Sequence, residues 1–174
     1  KPRERFRLGI EHEKLALRLG SFAPVPYDGP QGIEALLRSL AEQPGFEMIT
    51  EDGRVLGLDG PASVSLEPGG QVEQNGSPHT DLRAAVTEIH EHLALMRRIA
   101  EPLGIALLGL GAHPFHPTKD LPQIPRERYR IMRDYLPTRG ELAMDMMHAT
   151  ASLQVNFDWT DEADAESFTD FYGL

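Results

Sequence analysis

The sequence predicts an α+β fold in which an antiparallel sheet forms a polar cup and helices pack on the other face. Three observations predict it: paired strand-and-turn segments, helical apolar periodicity between them, and a late strand with strict alternation of polar and apolar residues. The chain lacks the repeated strand–helix–strand order of a parallel, doubly wound sheet.

The expected strands are short runs of β-branched and aromatic residues bounded by Gly, Pro or Asp-Gly turns. Asp52-Gly53 is a typical two-residue hairpin turn. Strands are predicted at 5–17, at 46–58 and 62–75 (one hairpin each), at 104–110 and at 150–159.

The expected helices carry apolar residues three and four positions apart. In the first, Pro44-Gly45 ends the pattern, and in the longest, Thr80-Asp81 opens it. Helices are predicted at 31–43 (Ile33, Leu36, Leu37, Leu40), at 80–101 (Leu82, Val86, Ile89, Leu93, Met96, Ile99) and at 126–135.

Charge and composition limit the function classes. The 174 residues hold 17 basic and 27 acidic side chains, a net charge of −10, which disfavours a nucleic-acid-binding face. No apolar run approaches a membrane span, and the first residues do not resemble a signal peptide. Cysteine is absent, so thiol catalysis and disulfides are excluded. We expect a cytoplasmic protein with small-molecule partners, no nucleic acid and no membrane; its oligomeric state is left open.

The strand at 150–159 presents one polar and one apolar face, because side chains alternate along a strand. Its polar side consists of short amides, hydroxyls and an acid rather than the Lys and Glu common on solvent faces. This composition favours a site lining, with a plain solvent face as the alternative. The polar face comprises Thr150, Ser152, Gln154, Asn156 and Asp158.

Carboxylates on two other predicted strands share this character. Glu11 and Glu13 lie two apart, so they project from one face, where like charges repel unless a cation separates them. In the second hairpin, a three-residue Pro-Gly-Gly loop places Glu67 opposite Gln71, with Glu73 on the same face. Hard oxygen ligands of this kind suit Mg²⁺ or Mn²⁺. The alternative for each pair is an exposed acidic strand.

The three strands together predict a polar cup in which carboxylates hold divalent cations and the cations hold phosphates. A P-loop motif is absent, and Gly109-Leu110-Gly111 leads into His113 rather than a helix, so a dinucleotide fold is not expected.

Two further groups of residues, the arginines of one helix and two histidines, each allow more than one interpretation. Arg126, Arg130 and Arg133 share one helix face and would suit a substrate carboxylate or phosphate, or else form a solvated face paired with acids. His113 and His116 belong to a Pro-broken loop and would serve a metal-dependent hydrolase, the second function considered. A non-catalytic domain is the third.

Four ordered blocks resemble the plant and proteobacterial type of glutamate–cysteine ligase, a carboxylate–amine ligase with a glutamine-synthetase-like catalytic fold. The resemblance covers roughly residues 6–162. The blocks are GIEHEK at 9–14, SLEPGGQVE at 65–73, RYRIMRDY at 128–135, and DMM at 145–147 with QVNFD at 154–158.

The resemblance implies a ligase that consumes ATP to phosphorylate the γ-carboxylate of glutamate, after which the cysteine amine attacks to give γ-glutamylcysteine for glutathione or ergothioneine synthesis. It implies ATP as co-substrate and Mg²⁺ or Mn²⁺ as the metal. The implied metal ligands are Glu11, Glu13, Glu67 and Glu73; the catalytic residues are Glu11, Glu13, Arg130 and Arg133; the substrate- or ATP-binding residues are Gln71, Thr150, Gln154 and Asn156.

The sequence departs from the family pattern in places. Ala149 stands where plant members tend to carry Arg, and Gln74-Asn75-Gly76 replaces a more usual Leu-Ser-Gly, which leaves the acceptor amine open. Residues 1–162 are predicted to be the N-terminal part of the catalytic domain. Residues 163–174 are predicted to be an acidic tail joined across a missing stretch.

Overall fold

The computed structural model describes residues 2–172 and shows a seven-stranded antiparallel sheet with helices beside it. The strands are β1 (Leu8–Arg18), β2 (Glu47–Glu51), β3 (Arg54–Asp59), β4 (Ser63–Leu66), β5 (Val72–Asn75), β6 (Ile105–Leu108) and β7 (Leu153–Phe157). The helices are α1 (Ile33–Ala41), α2 (Leu82–Ala100), α3 (Glu127–Tyr135), α4 (Ala143–Ala149) and α5 (Glu162–Tyr172).

Strand β1 is the centre of the sheet. The order is β2-β3-β4-β5-β1-β6, and β7 pairs with the first half of β1 while β6 pairs with its second half. Residues Glu11 and His12 are paired with β5 and β7 at once, so these two strands flank β1 on opposite edges. This topology brings the carboxylates of β1 between those of β5 and the amides of β7.

The helix predictions are largely confirmed. Leu36, Leu37 and Leu40 of α1 are fully buried against the sheet. The Asp81 carboxylate caps α2 by accepting a hydrogen bond from the Ala84 N–H at 3.0 Å. The apolar stripe expected on α2 is wrong at its start: Leu82 is 59% exposed. The helix buries Met96 of the predicted stripe together with Ala85, His92 and Ala100, which lie outside it.

The α+β class and both predicted hairpins are confirmed, and the Asp52-Gly53 turn has positive φ at both residues, as a type I′ turn requires. Two helices were not predicted, α4 and α5. The predicted late strand is shorter than expected, and its apolar residues Leu153 and Val155 are exposed because α1 and α2 pack mainly on β3, β1 and β6.

The predicted tail coincides largely with α5, and its division from residues 1–162 stays a prediction. Gly173 and Leu174 of that tail, like Lys1, lie outside the described residues. Among the described helices, none combines the length and apolar character needed to cross a bilayer.

Candidate functional site

Glu11 and Glu13 project from the same face of β1 into a row of polar side chains. Glu13 lies directly opposite Glu73 of β5, and Glu11 lies opposite Gln154 of β7. Asn156 stands opposite Gly9, one step further along that face. Because directly paired residues of antiparallel strands point the same way, these residues form one continuous polar surface. We call it the carboxylate face.

Hydrogen bonds hold the β1 carboxylates in place. The Glu13 carboxylate accepts two from Ser152, one from its N–H and one from its hydroxyl, both at 3.0 Å. Gln154 Nε2 donates to that hydroxyl at 3.1 Å, and Asn156 Nδ2 donates to Glu11 Oε1 at 2.9 Å. The polar side of β7 therefore orients the acids of β1, and its role as the lining of a substrate site stays a prediction.

The second hairpin turns through the predicted three-residue loop. Leu66 pairs with Val72, and the Glu67 N–H donates to the Gln71 carbonyl at 3.0 Å, so Glu67 stands opposite Gln71. On the next strand, Glu73 Oε2 accepts a hydrogen bond from the Ser65 hydroxyl at 2.5 Å. Glu67 and Glu73 thus join Glu11 and Glu13 on the carboxylate face.

Burial and repulsion between neighbouring carboxylates raise the pKa values of two acids on this face. Burial raises the pKa of Glu67, and the nearby carboxylates of Glu73 and Glu13 raise it further. Burial likewise raises the pKa of Glu73, with Ser65 opposing and Glu11 and Glu13 adding to the rise. A bound cation would offset the repulsion between these carboxylates, and their oxygen atoms are suitable ligands for Mg²⁺ or Mn²⁺.

The four glutamates lie near one another, but in this conformation they do not form a complete set of metal ligands. Within residues 2–172, no three His, Asp or Glu side chains are grouped so as to hold a metal ion in this conformation. Both Glu13 oxygens are engaged by Ser152 and one Glu11 oxygen by Asn156. The donor chemistry fits a hard divalent cation, and the metal-ligand role of the four glutamates stays a prediction.

Gln71 was expected to contact substrate, but the structure places its amide in the protein interior. It is 2% exposed, and its Oε1 accepts a hydrogen bond from the Gly69 N–H at 2.9 Å. Its Nε2 donates to the carbonyls of Met147 at 3.2 Å and Thr150 at 2.6 Å. The Thr150 hydroxyl donates to the Met146 carbonyl at 2.6 Å. In this conformation, Gln71 and Thr150 tie the end of α4 to the hairpin turn.

We expect Gln71→Met to lower the free energy of unfolding by about 3 kcal/mol, because a same-sized apolar side chain removes three hydrogen bonds to the backbone, one of them buried and two part-buried. Urea unfolding of the intact gene product measures it. The exposed Gln123→Met is the control and should change stability by less than about 0.5 kcal/mol. Equal free energies of unfolding for Gln71→Met and Gln123→Met would show that the Gln71 hydrogen bonds do not stabilise the contact between α4 and the hairpin turn.

The two arginines expected at the site lie away from the acids. Arg130 is exposed and bonds Glu127 at 2.6 Å and Asp134 at 3.1 Å, the solvated pairing weighed as the alternative. Arg133 lies near His148, whose pKa it helps to lower, and its Nη1 is buried without a hydrogen-bond partner among the described residues. No described hydrogen bond or ion pair joins either arginine to the carboxylate face.

Sequence reasoning grouped Arg126 with Arg130 and Arg133 and passed over Arg128, although Arg128 and Arg126 are the arginines that act on this face. The positive charges of Arg128 and then Arg126 lower the pKa of Glu67 against the larger effect of burial. Ser65 was also left out of the predicted site, whereas Ser152 was included in the polar face of the last predicted strand. Their positions two residues from Glu67 and Gln154 put them on the same faces, and this period of two was the available signal.

The opposite side of the same strands holds a buried polar cluster. Lys14 is fully buried and donates to the His12 carbonyl at 2.6 Å. Burial lowers its pKa to about 8, although Glu73 and Glu13 attract its charge. Gln74 is also fully buried, and both its amide atoms lack partners among the described residues. His92 of α2 completes the cluster behind the carboxylate face.

The histidines of the hydrolase alternative occupy a separate loop. His113 Nδ1 accepts hydrogen bonds from the backbone N–H groups of Phe115 and His116, at 3.4 and 3.2 Å. The rings of His113 and His116 meet edge to face with centroids 5.6 Å apart. Within residues 2–172 no hydrogen bond joins them to the four glutamates, so the loop lends no support to a histidine-assisted hydrolase.

Comparison with known proteins decides the family. A family model described as glutamate-cysteine ligase family 2 matches residues 7–171. The chain belongs to this family. The match includes most of the predicted tail, which the resemblance seen in the sequence alone did not reach.

Curated relatives agree with this family assignment. The chloroplastic glutamate–cysteine ligase of Medicago truncatula is 41% identical over 165 residues, which is 94% of this chain and 32% of that protein. Ligase A of Oryza sativa subsp. japonica is 41% identical with 33% of its length covered, and the Arabidopsis thaliana ligase is 40% identical with 31% covered. The chain therefore spans about one third of the length of these relatives.

The relatives correct one expectation. Each of these three glutamate–cysteine ligases is named as chloroplastic. The cytoplasmic location expected from the sequence is therefore wrong by this comparison. That expectation rested on the absence of cysteine and of a signal-peptide pattern, and neither absence determines the compartment to which a protein is delivered.

Proposed function

We propose that this chain supplies the carboxylate face of an ATP-dependent ligase that joins the γ-carboxylate of glutamate to the amine of cysteine, giving γ-glutamylcysteine. The observation that carries the proposal is the convergence of Glu11, Glu13, Glu67 and Glu73 on one face of three adjoining strands. Family membership supplies the reaction class.

The reaction needs two steps. A glutamate γ-carboxylate oxygen attacks the terminal phosphorus of ATP, forming an acyl phosphate and releasing ADP. The cysteine amine then attacks the acyl carbon, phosphate leaves, and the nitrogen loses a proton. Both steps bring anionic oxygens close together, so the main demand on the protein is to neutralise and position charge.

The four glutamates would hold Mg²⁺ or Mn²⁺ on this face. When bound, the cation would supply positive charge that offsets the phosphate oxygens. The chain's own residues keep the carboxylates oriented: Ser152 binds both oxygens of Glu13, and Asn156 binds Glu11. Gln154 steadies Ser152 and stands on the same face, where it would contact a substrate.

The test is ADP release by the intact gene product with Mg²⁺, ATP and glutamate, with and without cysteine. We expect cysteine to stimulate release, and we expect Glu13→Gln to reduce it by about 100-fold or more, because the variant removes a charge from the centre of the face. Glu47→Gln, a change of the same type at an exposed position of β2, is the matched control and should retain full activity.

The result also separates the alternatives. Glutamate-dependent release that prefers another amine would keep the carboxylate–amine ligase class and change the product. ATP-independent hydrolysis would favour a metal-dependent hydrolase. Absence of ATP turnover with every amine tested would contradict the ligase proposal.

A further inference from the structure

Arg128 is an arginine at the start of α3 that no acidic side chain of the described residues binds. It is exposed near the start of α3. Arg130 on the same helix is bound to Glu127 and Asp134, and Arg126 lies 3.8 Å from Glu51. Within residues 2–172, Arg128 has neither an ion pair nor a hydrogen bond to a carboxylate. Its five N–H donors are thus available to a ligand.

A buried tyrosine fixes where Arg128 stands. The Arg128 guanidinium lies 5.0 Å from the centroid of the Tyr129 ring, within the range of a cation–π contact. Tyr129 is 1% exposed, and its hydroxyl donates to the Leu66 carbonyl at 2.7 Å. Leu66 directly precedes Glu67, so this contact places the guanidinium beside the Glu67 end of the carboxylate face.

The effect of nearby charges on Glu67 agrees with this placement. Arg128 and Arg126 are the cations that lower the pKa of Glu67, and Arg128 has the larger effect. Helix α3 therefore divides its arginines between a solvent face and the rim of the carboxylate face.

We propose that Arg128 is a substrate-binding residue that holds an anionic oxygen group, phosphoryl or carboxylate, at the rim of the carboxylate face. This inference rests on the proposed function of that face. A face with four carboxylates repels anionic substrates, so a charged donor is needed at its edge. A guanidinium group donates two parallel hydrogen bonds to such oxygens. Stacking on Tyr129 already restricts the Arg128 side chain, so less conformational entropy is lost on binding.

The test compares Arg128→Gln with Arg139→Gln, a change of the same type at an exposed arginine whose guanidinium lies 4.7 Å from the centroid of the Tyr135 ring. Isothermal titration calorimetry with Mg²⁺ measures ADP binding in one arm and glutamate binding in the other. We expect Arg128→Gln to weaken one of them at least 10-fold and Arg139→Gln to weaken neither by more than 2-fold. Arg128→Lys should recover only part of the loss, because it keeps the charge without the two parallel hydrogen bonds.

Each outcome decides the inference. A loss confined to ADP identifies a phosphoryl group as the bound anion, and a loss confined to glutamate identifies a carboxylate. Unchanged binding of both ligands overturns the proposal, as does equal weakening by the two glutamine variants or failure of the unaltered protein to bind either ligand. Circular dichroism at matched temperature checks that both variants fold.

The outcome is independent of the ligase assay. If cysteine-dependent ADP release is absent while Arg128→Gln still weakens anion binding, the proposed reaction fails and the binding role of Arg128 stands. If cysteine-dependent release is present while both ligands bind Arg128→Gln normally, the ligase function stands and the role of Arg128 is wrong.

Discussion

Replacing Gly69 by alanine is expected to lower the free energy of unfolding by about 4 kcal/mol or more. A Cβ built on Gly69 would lie 2.1 Å from the carbonyl oxygen of His148 and 2.7 Å from its carbonyl carbon. Both are backbone atoms at the end of α4, so rotation of a side chain cannot relieve the overlap. The hairpin turn and the helix would have to separate, and overpacking on that scale exceeds the usual cost of an added methyl.

The separation should also disturb the site. Gln71, two residues on, binds the carbonyls of Met147 and Thr150, and Glu67 begins the same turn. We therefore expect Gly69→Ala to reduce ADP release together with stability. Urea unfolding and the ADP assay on the intact gene product measure the two effects.

Gly140→Ala is the control, since a Cβ there meets no atom within 4 Å and its φ lies outside the left-handed region. It should change stability by less than about 0.5 kcal/mol. Similar unfolding midpoints for the two alanine variants would show that the turn and α4 are not packed as the structure has them.

Period-two alternation allowed much of the carboxylate face to be predicted from the sequence. Glu11 with Glu13, and Glu67 with Glu73, share a face wherever their strands form. The length of the Pro-Gly-Gly loop then set the register. Strand order was not encoded in any local pattern, yet it is strand order that sets Glu13 against Glu73 and Ser152.

Helical spacing in the sequence does not determine which arginines of α3 face the carboxylates. Helical spacing alone groups Arg126, Arg130 and Arg133, and it does not say which side of α3 meets the sheet. That choice is made by Tyr129, whose buried hydroxyl binds Leu66 and turns Arg128 toward the acids. The substrate-binding role of Gln71 stays a prediction, and its burial could not be foreseen because two of its partners are backbone atoms nearly 80 residues away in the chain.

The second large effect concerns His92, which we expect to make the protein sensitive to acid. The side chain is 6% exposed between α2 and the sheet, and its Nε2 lacks a partner among the described residues. Burial lowers its pKa to about 3, and the positive charges of Lys14 and then His12 on β1 add to the fall. Gln74 of β5, also in the cluster, is neutral. His92 is therefore neutral in the folded protein at pH 7.

The sign follows from proton binding. An unfolded histidine takes up a proton near pH 6.5, whereas folded His92 resists it until about pH 3. Stability is thus fully present above pH 6.5 and is lost as the pH falls, by about 3 kcal/mol at pH 4 and about 5 kcal/mol below pH 3. Glu67 and Glu73, whose pKa values are raised, act in the opposite direction, so the total curve combines both effects.

Comparison with a variant isolates the histidine. His92→Gln removes the titrating group while keeping a polar side chain, and its free energy of unfolding should fall about 3 kcal/mol less than that of the unaltered protein between pH 7 and pH 4. His90→Gln, on the exposed side of the same helix, is the control and should follow the unaltered profile. Parallel profiles for all three proteins would mean that His92 accepts its proton in the folded state, and hence that the cluster behind the carboxylate face is open to water.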